Sequence, residues 1–446
     1  MKLEEFKNLI PGAQLLGPGT QNIEHIGTDT RSIQPGSVFF ALKGDRFDAH
    51  DFTLEAEQSG AIAVVVSRKT NLTIPQILVE DTRIALGQAA RGWRCRFGIP
   101  LIAVAGSNGK TTVTQMLARI LAAAFGEDHR LATKGNFNNE IGLPLTLLRL
   151  KSQHKAAVVE LGMNHPGEIS YLAEIALPTV SLINNAQREH QEFMGSVEAT
   201  AYENGAIVTA LPADGKAVFP ADDPCAEIWR TLAGSRPIYD FAFRSKALIK
   251  ASMSELSDGL MVRLETPSGH LSMKLSLKGA HNAHNAAAAA TAAFAAGIPL
   301  EAIQAGLESF QPVTGRGVIL RTENGATLID DSYNANPDSV LAAIDLLAET
   351  GKTSILILGD MGEVGEKGAE FHEEIGRYAR ERGLLALLTH GELSRISSEV
   401  FGHPGGEHYE KIEPLIERAK NLATPESTLL VKGSRFMRME RIVQAI

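Results

Sequence analysis

Apolar and polar positions divide the chain into three stretches. In the first, Leu3, Phe6 and Ile10 mark one face of a short helix. The apolar runs 38–42 and 62–66 predict buried strands, with a polar loop, 44–52, between them. A helix over 83–96 runs into Gly98-Ile99-Pro100, which reads as a linker. The second stretch opens with LIAVA, residues 101–105, a run suited to a central strand. Val113, Met116, Leu117, Ile120 and Leu121 then fall on one helical stripe. Further strands are predicted over 156–161, 180–183 and 216–219, with helical stretches between. An alanine-rich helix over 282–296 stops at Gly297-Ile298-Pro299. The third stretch predicts strands at 327–330, 354–358, 384–389 and 428–432. Asn336 caps a helix with Pro337 at its first position and Val340, Leu341, Ile344 and Leu347 inside. Strands alternating with helices predict an α/β protein with mainly parallel sheets.

Composition narrows this reading. At about 150 residues per domain, 446 residues give three domains. Apolar residues make up 44% and charged residues 21%, which excludes disordered, collagen-like and coiled-coil chains. The net charge is −9 with no basic block, so neither nucleic-acid binding nor an anionic membrane surface is expected. Cys95 and Cys225 stand far apart, which speaks against a disulfide framework and a cysteine zinc site. Glu4, Glu5 and Pro11 interrupt the first residues, and no apolar run reaches the length of a membrane span. A soluble cytoplasmic protein is expected.

The densest chemistry lies in LIAVAGSNGKTT, residues 101–112. Strand, glycine loop and helix form the layout of a phosphate cradle: Gly106, Ser107, Asn108, Gly109, Lys110, Thr111 and Thr112. Lys110 can reach the terminal phosphates, and the Thr111 hydroxyl can bind Mg²⁺. Val104 stands where the general pattern has its first glycine, so the loop is a shortened variant. Glu160 closes the strand 156–161, where an open α/β sheet faces its ligand, and a carboxylate there suits Mg²⁺. His190 follows the strand 180–183 and points at the same crevice; a structural histidine is the equal alternative. Asn282 either belongs to a helix cap or bonds the edge of a base. DDSYNANP, residues 330–337, is either a well-capped loop or a ribose, phosphate or second-substrate site. Lys432-Gly433-Ser434-Arg435 offers cations after a strand. The organisation expected is a small mixed α/β N-terminal domain (1–98), a central P-loop ATPase-like parallel-sheet domain (99–312) and a Rossmann-like C-terminal domain (313–446).

Eight segments in register resemble the Mur ligase family, the ATP-dependent ligases that build the peptide stem of bacterial peptidoglycan. They are TDTRSIQPGSVFFALKGDRFDAHDF, GSNGKTT, TKGNFNNEIGLPLTLL, ELGMNHPGEI, GAHNAHNAAAA, DDSYNANPDS, LGDMGEVGEKGAEFH and LVKGSRFMRME. The resemblance covers the whole chain. It implies a carbon–nitrogen ligase using ATP and Mg²⁺ that passes through an acyl phosphate. DDSYNANP and LGDMGEVGE favour the member that joins D-alanyl-D-alanine to UDP-N-acetylmuramoyl-tripeptide. By the same resemblance, Asp29, Thr30 and Arg31 lie near the uridine diphosphate, and Asn136, Asn138 and Asn139 on a substrate-side loop. Lys110, Glu160 and His190 serve catalysis, with Thr111, Glu160 and His190 about the metal. Asn282 contacts adenine, Arg316 reaches the nucleotide from the last domain, and Asp331 lies near the ribose. Asn334 and Asn336 face the second substrate. A monomer is expected. One position departs from the family: Asn204 stands where most members carry a carbamylated lysine. Glu203, Glu192 or the Asn204 amide are the candidates to replace it. Rival readings are another amide ligase of this architecture, a pseudoenzyme and a motor-type P-loop ATPase. The D-N-P-R run usual in the diaminopimelate-adding relatives is missing here.

Overall fold

The computed structural model describes residues 1–44, 47–350 and 353–446. Three sheets follow one another along the chain. The first has five strands in the order Gln14–Leu16, Gln76–Leu78, Ala61–Val66, Ser37–Phe40 and His25–Gly27. All pair in parallel except Gln14–Leu16. The helix Leu3–Lys7 buries Leu3 and Phe6 against this sheet, and Ile10 follows into the same core. The expected polar loop 44–52 ends in a 3-10 turn, Ala49–Phe52, capped by Asp48; Asp45 and Arg46 lie outside the described residues.

The central sheet has nine strands. Leu101–Ala105 lies between Ala156–Glu160 and Val180–Ile183, parallel to both. Its five residues are all fully buried, because helices cover both faces. Ile102 and Val104 enter one core with the helix Lys110–Phe125 and the alanine-rich helix Ala280–Ala295. Leu101, Ala103 and Ala105 enter the other, with the helices Glu168–Ala176 and Val197–Thr209. A further helix, Leu300–Glu308, packs closely on Lys110–Phe125: a Cβ on Gly306 would come within 2.4 Å of the Ile120 backbone. The sheet is mainly parallel, as expected, with one antiparallel addition. Ile249–Leu256, Gly259–Thr266 and Gly269–Leu275 extend the sheet as an antiparallel meander. These strands alternate buried and exposed positions, the pattern of a sheet with one solvated face.

The third sheet runs Val318–Arg321, Thr327–Asp331, Ser427–Lys432, Thr353–Gly359, Ala386–His390 and Gly406–His408, parallel after its first pair. The helix Pro337–Glu349 covers one face, with Asn336 as its side-chain cap. The linker 98–100 is firmly tied: buried Arg94 donates to the carbonyls of Phe97, Ile99 and Ala176. Among the described residues, no helix is long and apolar enough to cross a membrane.

Candidate active site

The phosphate loop occupies residues 106–109, at the carboxyl end of the strand Leu101–Ala105. Gly109 has φ +80, and a Cβ there would lie 2.3 Å from Asn285 Oδ1 and 2.6 Å from Asn184 Nδ2. Only glycine fits that backbone against those amides. A second loop, 184–190, wraps the first. Asn185 Oδ1 accepts from Asn108 N–H (2.8 Å), and Asn184 Nδ2 donates to Asn108 O (2.7 Å). Gln187 N–H donates to Ser107 Oγ (2.9 Å), and Asn108 Nδ2 donates to Gln187 Oε1 (2.6 Å). Asn285, from the alanine-rich helix, accepts from Asn184 Nδ2 (2.9 Å). The cradle is therefore rigid without a ligand. His190 stands out in the sequence; Asn184, Asn185, Gln187 and Glu189 do not, and Asn285 reads only as part of the polar start of the alanine helix. The signal was present: NNAQREH places six polar residues directly after a buried strand.

The Lys110 ammonium donates to Gly106 O (2.6 Å), Ser107 O (2.9 Å) and Glu189 Oε1 (2.8 Å). Glu160 is 2% exposed. Its Oε1 accepts from Asn138 Nδ2 (2.8 Å), while its Oε2 is buried without a hydrogen-bond partner. A buried orphan carboxylate oxygen is an incomplete arrangement that a hard cation would complete. Thr111 is buried in the first turn of the helix below the loop. Among the described residues, no three His, Cys, Asp or Glu side chains form a ready metal cage. That fits Mg²⁺, which takes one or two protein carboxylates and fills its shell with water and phosphate.

His190 sits at the seam between the central and last units, in the left-handed region with φ 49. Its Nδ1 bonds Glu363, and its Nε2 lies 3.5 Å from Glu189 Oε1. Burial works against the charged imidazole, but the two carboxylates outweigh it and raise its pKa to about 9. Bonding to His190 holds the Glu363 carboxyl below its ordinary value. In this arrangement its Nδ1 is committed to Glu363 and its Nε2 faces Glu189. Other ties cross the same seam. Asn336 exchanges two bonds with Asn108 (2.9 and 3.2 Å). Arg188 grips Asp338 through Nη2 (2.7 Å) and Nε (3.0 Å) and Glu374 through Nη1 (2.6 Å).

The chain matches the Mur ligase family catalytic domain over residues 22–94, the Mur ligase middle domain over 104–293 and the Mur ligase glutamate ligase domain over 315–435. It is 39% identical over 428 residues to the UDP-N-acetylmuramoyl-tripeptide–D-alanyl-D-alanine ligase of Escherichia coli (strain K12), covering 95% of this chain and 94% of that one. The chain belongs to the Mur ligase family. A MurF crystal structure from Acinetobacter baumannii superposes with TM-score 0.92 at 33% identity, covering 99% of this chain and 97% of that chain. The MurF ligase of Thermotoga maritima in complex with ADP gives 0.83 at 27% identity, covering 95% and 96%.

In this Mur ligase, Asn204 lies beneath the phosphate loop. Its Oδ1 accepts from Gly106 N–H (2.8 Å), and its Nδ2 is buried without a hydrogen-bond partner. Two of the expected substitutes for the lysine fail on geometry. Glu203 spends its carboxylate on the N–H groups of Gly167 and Ile169 (2.9 Å each), at the start of the helix Glu168–Ala176. Glu192 is exposed, its backbone against Glu363 and Gly365. The remaining expected residues fall into three places. Arg31 is 86% exposed on the side chain and bonds Asp29, which caps the turn Thr30–Ser32. Asn136 is exposed, Asn138 holds Glu160, and Asn139 caps the helix Gly142–Leu147 through Gly142 N–H (2.9 Å). Asp331 pairs with buried Lys432 (2.6 Å), which also donates to Asn334 O (2.8 Å). Arg316 stacks 4.3 Å over the Tyr333 ring, and Asn282 donates to Lys278 O (2.9 Å). Lys432 is thus already engaged, and Asn336 is committed to its cap and to Asn108.

Proposed function

We propose that this chain joins D-alanyl-D-alanine to UDP-N-acetylmuramoyl-tripeptide at the expense of ATP, as a cytoplasmic monomer in peptidoglycan precursor synthesis. The observation that carries the reading is end-to-end likeness to ligases of that name, through all three units. The chemistry needs activation, because a carboxylate has no good leaving group. The tripeptide carboxylate attacks the γ-phosphorus of ATP, releasing ADP and leaving an acyl phosphate. The dipeptide amine then attacks the acyl carbon, and phosphate departs with the former carboxylate oxygen. Both steps gather anions, so fixed cations and donors do most of the work.

The backbone N–H groups at the N-terminus of the helix Lys110–Phe125 and the Lys110 ammonium hold the phosphates. Thr111 and Glu160 hold Mg²⁺, which neutralises charge on the transferred group when bound. Asn138 positions Glu160 through its 2.8 Å bond. Arg316, Asp331 and Asn282 serve the adenosine end, and Asp29, Thr30 and Arg31 the uridine diphosphate. The Arg188, Asn336 and Glu363 ties hold the last unit over the loop and exclude water from the acyl phosphate. The test is direct. Incubation with ATP, Mg²⁺, UDP-N-acetylmuramoyl-tripeptide and D-alanyl-D-alanine should release phosphate only when both substrates are present. The product mass should equal their condensation. Phosphate release without a condensed product would overturn the reading.

A further inference from the structure

The Lys110–Glu189 pair sits where the proposed nucleotide must place its phosphates. The ammonium has three donors, and all three are taken by Gly106 O, Ser107 O and Glu189. A phosphate can recruit Lys110 only by drawing it away from one of these partners. The Glu189 side chain is 9% exposed, and its Oε2 is buried without a hydrogen-bond partner. Its nearest other cation, His190 Nε2, stands 3.5 Å from Oε1, beyond a good bond. Once Lys110 turns to the phosphates, Glu189 is a buried anion facing a polyanion. Like charges at short range in a dry site repel strongly. Lys110 and His190 each offset part of that repulsion from the Oε1 side, but Oε2 has no partner and is open to a cation. A buried carboxylate with a free oxygen is a donor of the kind that hard divalent ions take.

We propose that Glu189 holds a divalent cation against the nucleotide's phosphates, directly or through one water, when Lys110 is recruited to them. The proposal rests on the Mg²⁺–nucleotide reading above. It sets Glu189 apart from a plain anchor for Lys110. An anchor needs only an acceptor, which glutamine also supplies at the same place; an ion-holding group needs the charge.

Glu189→Gln therefore separates the two. Nucleotide affinity is measured by calorimetry with ADP, in EDTA and in excess Mg²⁺. Bound Mn²⁺ is counted by electron paramagnetic resonance with a non-hydrolysable ATP analogue. E189Q should bind ADP in EDTA more tightly than the unmodified chain, by about tenfold, and gain correspondingly less from Mg²⁺. It should hold one Mn²⁺ fewer per chain. An unchanged Mn²⁺ count, with ADP weakened alike in both buffers, overturns the proposal in favour of a structural anchor. If the unmodified chain binds ADP equally with and without Mg²⁺, the Mg²⁺–nucleotide reading itself fails. Thermal unfolding without ligand checks that E189Q folds. Should it not, Glu189→Asp carries the test. That variant keeps the charge but shortens its reach. About tenfold weaker Mn²⁺ binding, with ADP affinity in EDTA unchanged, supports the proposal; unchanged Mn²⁺ affinity overturns it.

Discussion

Arg188 and Asp338 offer the sharpest test of how the last unit is held over the phosphate loop. Two bonds join the guanidinium to Asp338 Oδ1, at 2.7 and 3.0 Å, and Arg188 N–H reaches Oδ2 at 2.7 Å. The side chains are 22% and 21% exposed, so the pair is sheltered but not dry. A charge-assisted bond contributes about 1.5–3 kcal/mol when sheltered, and an exposed pair under about 1 kcal/mol. Partial exposure places the side-chain coupling near 2 kcal/mol, about 30-fold in an equilibrium or rate constant. Arg188→Ala should lower kcat/KM for D-alanyl-D-alanine by about that factor or more, because Glu374 also loses a partner at 2.6 Å. Steady-state phosphate release at saturating ATP measures it, with Asp338→Ala and the double variant closing the cycle. The cycle cancels the separate effect of Asp338 on its own helix terminus. Nucleotide affinity should fall as well, since the unit that Arg188 holds carries Arg316 and Asp331. A coupling below about 0.5 kcal/mol would refute the idea that this contact holds the closed arrangement.

Three further expectations follow from the same geometry. Gly109→Ala forces a non-glycine residue to φ +80 and drives a methyl into the Asn184–Asn285 bond. At about 1 kcal/mol for the backbone and about 1 for the bond, urea unfolding should show about 2 kcal/mol lost, with nucleotide binding weakened; unchanged stability would argue against the tight cradle. Lys110→Met should cut kcat by about 10²–10³ in single-turnover assays and also lower the melting temperature, because it strips the buried Glu189 of its cation; an unchanged rate would refute its part in phosphate binding. The His190 pKa near 9 lies above its unfolded value, so its interactions with Glu189 and Glu363 stabilise the protein fully below about pH 6.5 and fade as pH rises through 9. Glu363 is half-exposed, so solvent screening limits its share to about 1 kcal/mol. The unfolding midpoint should fall across that window, His190→Gln should flatten the fall, and parallel curves for the two proteins would remove His190 as its source.

The strongest sequence signals were local. The strand Leu101–Ala105 and the helix Lys110–Phe125 declare themselves because a fully buried strand is a continuous apolar run and a one-sided helix repeats near 3.6 residues. The antiparallel meander 249–275 carries the alternation of half-buried strands, but no local signal says that it joins the edge of the central sheet; that pairing is set by the fold. His190 was visible as a lone titratable residue, but its charge state was not. That depends on Glu363, 173 positions away, and on Glu189 beside it.

By itself the sequence determined the order of elements, the phosphate loop and the chemical types able to hold a nucleotide. These are encoded within a few residues, through backbone preference and side-chain chemistry. Only the tertiary structure decided which groups share the site. Asn204 came to lie under Gly106, Glu203 was turned to a helix start, and Asn336 was brought to Asn108 across 228 positions. The reason is physical. A carboxylate is a cap, a salt-bridge partner or a metal ligand according to which donors surround it, and those donors come from chain segments far apart.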